Sequence, residues 1–228
     1  AIAVAEAAKA SKYDPDTLQA AKDAYGKALK MVVEDENAVA RALALDARRK
    51  ADTATENSRR KLADDTIKEA VALIAKAEQN RAGFLAVSQY RQALTKLDDA
   101  KRAFSEGKYV QAYTDAENSK EAAGQAIDEA NKKLAALRSA YNDADLALKR
   151  ALASDVVKKY APTELDAVQK TFQQGEEDKK KVEDPTSITA GSKELRDTMA
   201  KDAYDRALKA AQNTIDGVSN VFRLALLR

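Results

Sequence analysis

The side chains able to do chemistry in this 228-residue chain are carboxylates, lysines, arginines and tyrosines; it contains no Cys and no His. Disulfides, thiolate nucleophiles, His-ligated metals, Ser-His-Asp triads and Cys-His dyads are therefore excluded. With 37 Asp and Glu, a glycosidase-like carboxylate pair is open by count alone. The carboxylates stand in polar runs, however, with no apolar setting to raise a pKa, and no Trp offers a platform for a sugar. Asp14-x-Asp16 is too short for a calcium loop, and the Gly and final Glu of an EF-hand are missing. The expectation is a protein without catalytic activity, cofactor or metal.

Two basic triplets, Arg48-Arg49-Lys50 and Arg59-Arg60-Lys61, lie eleven residues apart. On a helix that is three turns, so they share a face. Arg48, Arg49, Arg59 and Arg60 are a candidate anion-binding face for phosphate, a lipid headgroup or a cell-wall polymer. The competing reading is a solvated ladder: Arg48–Asp52, Glu56–Arg60, Arg60–Asp64 and Lys61–Asp65 are oppositely charged pairs four apart. Glu176 to Lys181 reads as a solvated helix end. Tyr90, Tyr109, Tyr113 and Tyr141 have the character either of a peptide groove or of half-buried seam residues. The most regular apolar stripe runs through Ile127, Ala130, Leu134, Leu137, Tyr141, Ala144, Leu148 and Ala151, alternating three and four like a coiled-coil seam. If the long helices 38–82 or 192–225 cover it, it is core. If it lies open, Leu134, Leu137, Tyr141 and Leu148 form a partner-binding seam.

The elements that would position these residues are all helical. Seven Gly and three Pro are very few, and no strand signal competes with the Ala-, Lys-, Glu- and Leu-rich pattern. The expectation is an all-α chain with helix above three quarters of its residues, its core rich in Ala and Leu. Net charge is +2, so the surface carries mixed signs and nucleic acid is not an expected partner. No apolar run approaches the roughly 20 residues of a membrane span.

One stretch recurs. Tyr160-Ala161-Pro162-Thr163-Glu164-Leu165 has the shape of Tyr13-Asp14-Pro15-Asp16-Thr17-Leu18. Pro is tolerated at a first helical position, which makes Asp14 and Ala161 N-caps, the second a poor one. Tyr13 and Tyr160 are then spaced to pack on Leu18 and Leu165 as hydrophobic staples. A worn third copy is Gln92 to Leu97, recognised by Ala100, Phe104 and Gly107 after it. The plan is a short helix, a turn and a long helix, three times over, starting near 13, 92 and 160. Residues 1–228 read as a single elongated helical bundle or array. The first helix of the plan runs from Pro15 to about Val33, with Leu18, Ala21, Tyr25, Ala28, Leu29 and Val32 on its inner face. Asn37 is a plausible cap for the next. Gly83 is placed like a C-terminal cap, with Ser88 able to start another helix. A helix from Lys108 reaches about Lys159. The last helix starts at Ile188 or Ser192, has Leu195, Met199, Tyr204, Leu208, Ala211, Ile215 and Phe222 as its stripe, and is liable to fray at Gly191 and Gly217.

Leu97 to Ala126 resembles a tetratricopeptide helix pair through Ala100, Phe104, Gly107, Tyr109, Ala112 and Ala116. The Tyr-Ala-Pro-x-Glu-Leu pattern at 160, with Gly175 after it, resembles uncharacterised helical-repeat domains of bacterial envelope lipoproteins, over about half of the chain. That resemblance implies a periplasmic or outer-membrane-attached scaffold or adaptor with a protein partner in the envelope. It implies membrane attachment through a lipid anchor, whose cysteine is not in this sequence. The chain begins at Ala1, as expected of a mature chain whose signal segment has been removed. The alternatives are a module holding a peptide, lipid or small solute between helices, and a protein acting at a membrane surface through amphipathic helices.

Overall fold

Pro15 and Pro162 each begin a helix, α3 (Pro15–Val33) and α9 (Pro162–Glu183), with Asp14 and Ala161 at the cap positions. A computed structural model describes residues 1–189 and 192–227. It is 92% helical, with no strand among the described residues. The remaining helices are α1 (Ile2–Ala7), α2 (Ala10–Tyr13), α4 (Asn37–Gln79), α5 (Ala82–Leu85), α6 (Val87–Ser105), α7 (Tyr109–Ala153), α8 (Asp155–Tyr160) and α10 (Lys193–Leu227). The fold is an all-α helical bundle.

A short helix, a helix of about twenty residues and a long helix follow one another three times: α2-α3-α4, α5-α6-α7 and α8-α9-α10. The first two copies superpose in sequence at an offset of 72 residues. Their left-handed backbone positions pair at this offset, Lys9 (φ 61°) with Arg81 (φ 66°) and Asp35 (φ 61°) with Gly107 (φ 74°). Buried residues pair as well: Ala10 with Ala82, Leu18 with Tyr90, Ala21 with Ala93, Ala28 with Ala100, Ala40 with Ala112, Ala51 with Ala123 and Ala54 with Ala126. A lysine on each long helix closes the preceding short one, Lys61 Nζ donating to the Tyr13 carbonyl at 2.7 Å and Lys133 Nζ to the Leu85 carbonyl at 2.6 Å. These lysines satisfy carbonyls that a helix end leaves open.

Gln92 therefore lies inside α6 and does not start a helix; the counterpart of Tyr13 is Leu85. The two differ by seven residues, two helical turns, and such a slip returns the same face. Other boundaries also move. Arg81, not Gly83, takes the left-handed conformation after α4. Its guanidinium donates to the carbonyls of Val182, at 3.0 Å, and Glu183 at the end of α9, and this tether offsets the strain of a side chain at positive φ. The helix expected to reach Lys159 stops at Ala153, because Ser154 caps α8 by accepting from the Val157 amide at 3.3 Å. Asn37 is the first residue of α4, and its side chain donates to Asp35 at 3.0 Å. Ser192 Oγ accepts from the Leu195 amide at 3.2 Å, ahead of α10; Gly191 lies outside the described residues. Gly217 does not break α10: a Cβ there would come within 2.7 Å of Val168, so this glycine lets α9 and α10 approach closely.

The tyrosines before the prolines are half-exposed rings with a lysine ammonium above them. Lys12 Nζ sits 4.6 Å from the Tyr13 ring centre and Lys159 Nζ 5.0 Å from that of Tyr160. Asp14 reaches across to α4 and accepts from Asn57 Nδ2 at 2.7 Å. Burial pushes its carboxyl up, but the hydrogen bonds of Asn57 and Thr17 and the charge of Lys61 outweigh this and hold it below its ordinary value.

Two inner faces differ from those read off the sequence. In α3 the buried stripe is Leu18, Ala21, Ala24 and Ala28, while Tyr25, Leu29 and Val32 are exposed. In α10 it is Ala200, Ala203, Ala207, Ala211, Thr214, Val218, Val221 and Ala225. Leu195, Met199 and Leu208 are exposed, and Tyr204, Ile215 and Phe222 half-buried. In both helices the close-packed side is an alanine face adjacent to the larger apolar one. Small side chains let helix axes come together and bury more backbone contact per turn.

The contacts divide the chain into two compact units. Unit 1 is Ala1–Lys76 with Gln89–Gly124; unit 2 is Ala77–Ser88 with the chain from Gln125 onward, so α4 and α7 contribute to both. Within unit 1, Ala5, Ala10, Leu18 and Ala54 form one core cluster and Ala63, Ala103 and Ala112 another, beside Phe104, Tyr109 and Tyr113. Ser119 Oγ, fully buried, donates to the Ala93 carbonyl at 2.8 Å and ties α7 to α6. Within unit 2, α7, α9 and α10 meet at Gly175. A Cβ there would collide with the Tyr141 hydroxyl and stand 2.5 Å from Ala210 Cβ.

Candidate interaction surfaces

The candidate seam is interior. Leu137 is fully buried, and Leu134, Tyr141 and Leu148 are at most 6% exposed. The Tyr141 ring packs on Phe172 of α9 with centroids 5.7 Å apart. Its hydroxyl is buried without a hydrogen-bond partner among the described residues. Desolvation, with Asp178 and Glu176 nearby, pushes that hydroxyl's pKa far up. The seam thus belongs to the core of unit 2 and is not available to a partner. Of the other tyrosines, Tyr90 is also core, while Tyr109 and Tyr113 remain half-exposed.

Arg48, Arg49, Arg59 and Arg60 are all exposed on α4. Arg48 faces Asp52 at 3.7 Å and Arg49 faces Asp46 at 3.7 Å, so part of the ladder forms. Asp64 takes Lys68 at 2.5 Å, and Lys61 is used on the Tyr13 carbonyl. Exposed pairs of this kind contribute little. The four arginines do not converge on one point. Arg48 lines a groove of about 940 Å³ with Ile2, Val4, Tyr25, Ala44 and Ala47. Arg59 lines a second, of about 890 Å³, with Val4, Thr55, Lys108, Tyr109 and Val110. Both lie in unit 1. The second also carries Asp52 and Glu56, so its lining balances two acidic against two basic side chains beside the apolar Val4, Tyr109 and Val110.

In unit 2 a smaller groove, about 550 Å³, is lined by Glu78, Arg81, Phe84, Pro185, Lys193, Arg196 and Asp197 among others. Lys193 pairs with Glu78 at 2.5 Å. Desolvation raises the Asp197 carboxyl; Lys193 opposes the shift and Glu78 adds to it. Nothing in the sequence signals this raised carboxylate, because Asp197 sits in a polar run and its desolvation comes from packing. Among the described residues no cluster of acidic side chains could hold a metal, and no helix is long and apolar enough to cross a membrane.

Exposed large apolar side chains are spread along the chain, Leu226 at 80% among them, and one set lies on α3 and the start of α4. Tyr25, Leu29, Val32, Val33 and Val39 are 45–87% exposed. No family model, curated protein or solved structure matches the chain.

Proposed function

We propose that the protein is a non-enzymatic scaffold or adaptor of the bacterial cell envelope, working through protein–protein contacts. The observation that carries the interaction reading is the exposed apolar set at the α3–α4 turn, with Val33 at 87%. Soluble proteins seldom leave such a set bare unless something docks on it. The envelope address, the lipid anchor and the kinship with lipoprotein helical repeats and with tetratricopeptide pairs rest on the Tyr160-Ala161-Pro162 and Ala100-to-Ala116 patterns. A photo-crosslinking residue at Val33 in cells, with one at exposed Lys180 as control, tests both parts. A discrete adduct from Val33 alone, in the envelope fraction, is the expected result. Purely cytosolic fractionation sinks the address, and equal labelling from both positions sinks the interaction surface.

A second reading, a module that binds a peptide, lipid or small solute, is favoured by one feature, the groove at Arg59, Lys108 and Tyr109. Native mass spectrometry of the purified chain separates the two. A co-purifying small molecule lost in Tyr109→Ala supports the module.

A further inference from the structure

Gly26, Gly124, Gly175 and Gly217 lie inside long helices, where glycine is destabilising relative to alanine. Gly175 and Gly217 are explained by what touches them: a Cβ on either would collide with a neighbouring helix. A Cβ on Gly26 or Gly124 would meet nothing within 4 Å. No exposed large apolar side chain lies within ten residues of Gly124. Beside Gly26, in contrast, Tyr25, Leu29, Val32 and Val33 are each at least half exposed. The surroundings of Gly26 thus have the character of a helix contact with no helix in it.

At 3.6 residues per turn, Lys22, Tyr25, Gly26, Leu29, Val32 and Val33 fall within about 60° of one line along α3. That line is centred on Leu29, about 100° round from the buried Ala21, Ala24 and Ala28. Toward the start of α3 it runs into Leu18, which packs in the core with Ala5, Ala10 and Ala54. From Tyr25 to Val33 it is open and uncharged, with Asp23 and Lys30 bordering it beyond Gly26. Lys22 precedes this stretch and the acidic turn Glu34-Asp35-Glu36 follows it. The order is self-complementary. Turned end over end about Leu29, the stripe brings Lys22 level with Glu36 and Tyr25 onto Val32. Val33, the most exposed of the set, comes opposite the gap at Gly26. Lys22 also pairs with Glu6 at 2.6 Å, both part-exposed, so its contact with the acidic turn orients the approach more than it tightens it.

We propose that this stripe binds the same stripe of a second copy, α3 against α3 antiparallel, about a two-fold axis at Leu29. The contact is isologous and closes at the dimer. Tyr25 to Val33 spans only about 12 Å, less than a permanent homodimer interface needs, so the dimer is reversible. The proposal rests on the interaction reading of the α3–α4 surface and names its partner; it does not depend on the envelope address.

Sedimentation velocity of the 228-residue chain across a concentration series tests it, beside Gly26→Leu. Wild type should pass from monomer to dimer and no further. Gly26→Leu places its side chain in open space, so its thermal melt should hold or rise. It fills the gap that Val33 enters, so the dimer should weaken at least tenfold, whereas a merely sticky face would associate more. Because the chain has no cysteine, Leu29→Cys reads the symmetry. Position 29 meets its own copy and should give a disulfide-linked dimer under mild oxidation. Lys27→Cys, exposed on the opposite side of α3, should not. The proposal is overturned if wild type stays monomeric or grows past a dimer, if Gly26→Leu dimerises as tightly as wild type, or if both cysteine variants cross-link equally. A monomer that still yields a Val33 adduct with another protein in cells overturns the second copy as partner and leaves the interaction reading standing.

Discussion

Unit 1 and unit 2 share a helical plan and are filled with different material. Unit 2 buries Phe84, Leu85, Leu134, Leu137, Tyr141, Leu148, Val157, Leu165, Phe172, Val182, Val218 and Val221. Unit 1 buries chiefly alanines around Leu18, Tyr90 and Leu97, and to these it adds Thr55, Ser58, Thr66, Asp115 and Ser119. Thr214 is the only buried polar side chain of unit 2 among the described residues. Where the core is alanine, stability comes from close backbone approach, with Ser119 to the Ala93 carbonyl and Lys96 to Asp115 as polar ties between α6 and α7, and with other buried polar groups satisfied within their own helix. Thr55 and Thr66 return their hydroxyls to the carbonyls of Ala51 and Leu62 on their own helix. Asp115 accepts from Gln111 at 2.8 Å and faces Lys96 at 3.5 Å. Where the core is Leu, Val and Phe, stability comes from apolar area and shape. Tight packing can thus be reached with two kinds of filling, and they should respond differently to substitution.

The largest effect is expected from Leu137→Ala, which empties the centre of unit 2 and should cost about 2–5 kcal/mol in a denaturant melt. A loss below about 1 kcal/mol would show that the seam is not core and would erase the contrast. Gly175→Ala should come next at about 1–3 kcal/mol, since its new methyl meets the Tyr141 hydroxyl and Ala210. Adding Tyr141→Phe should recover part of that loss, because the colliding atom is the unpartnered hydroxyl. A double variant no better than the single one would place the clash elsewhere.

A smaller effect belongs to the ion pair of α9 and α10, where Arg206 grips Asp178 at 2.8 and 3.0 Å. The Arg206 hydrogen bonds outweigh desolvation and lower the Asp178 pKa. A carboxyl lowered in the folded state contributes fully above its ordinary pKa, and the contribution is lost as pH falls through the lowered one. Arg206 is more than half exposed, so Asp178→Asn should cost only about 1 kcal/mol at neutral pH. The cost should vanish in acid, and a cost independent of pH would mean that shape and not charge holds this contact. Least of all should change with Ser58→Ala in unit 1. Its buried Oγ has no partner among the described residues, so removing it should be neutral or stabilising by up to about 1 kcal/mol. A clear destabilisation would reveal a polar tie there.

Much of the helix plan was legible because it is local. Pro15 and Pro162 begin helices, since ring closure fixes φ and removes a donor that the first turn does not need. Of the seam read from Ile127 to Ala151, every residue but the half-buried Ile127 is core, because its heptad spacing holds in any helical neighbourhood. The raised Asp197 carboxyl and the Arg81 tether were not legible. The first depends on which groups exclude water from it, and the second on a partner a hundred residues away.

By itself the sequence determined the all-helical state, the absence of thiol and imidazole chemistry, and the existence of recurring helix starts. These stem from composition and from interactions within a few residues. The tertiary structure alone decided which side of each helix is inside. In α3 and α10 an alanine stripe and a larger apolar stripe lie about 100° apart, each with helical periodicity. Periodicity cannot choose between them; the distance to the neighbouring helix does, and at close approach only the alanine side fits. The register of the middle repeat was open for a similar reason, because a slip of seven residues keeps the face and changes only the ends. Those ends were settled by Lys9, Asp35 and Arg81, whose left-handed turns no local preference of Lys, Asp or Arg would have required.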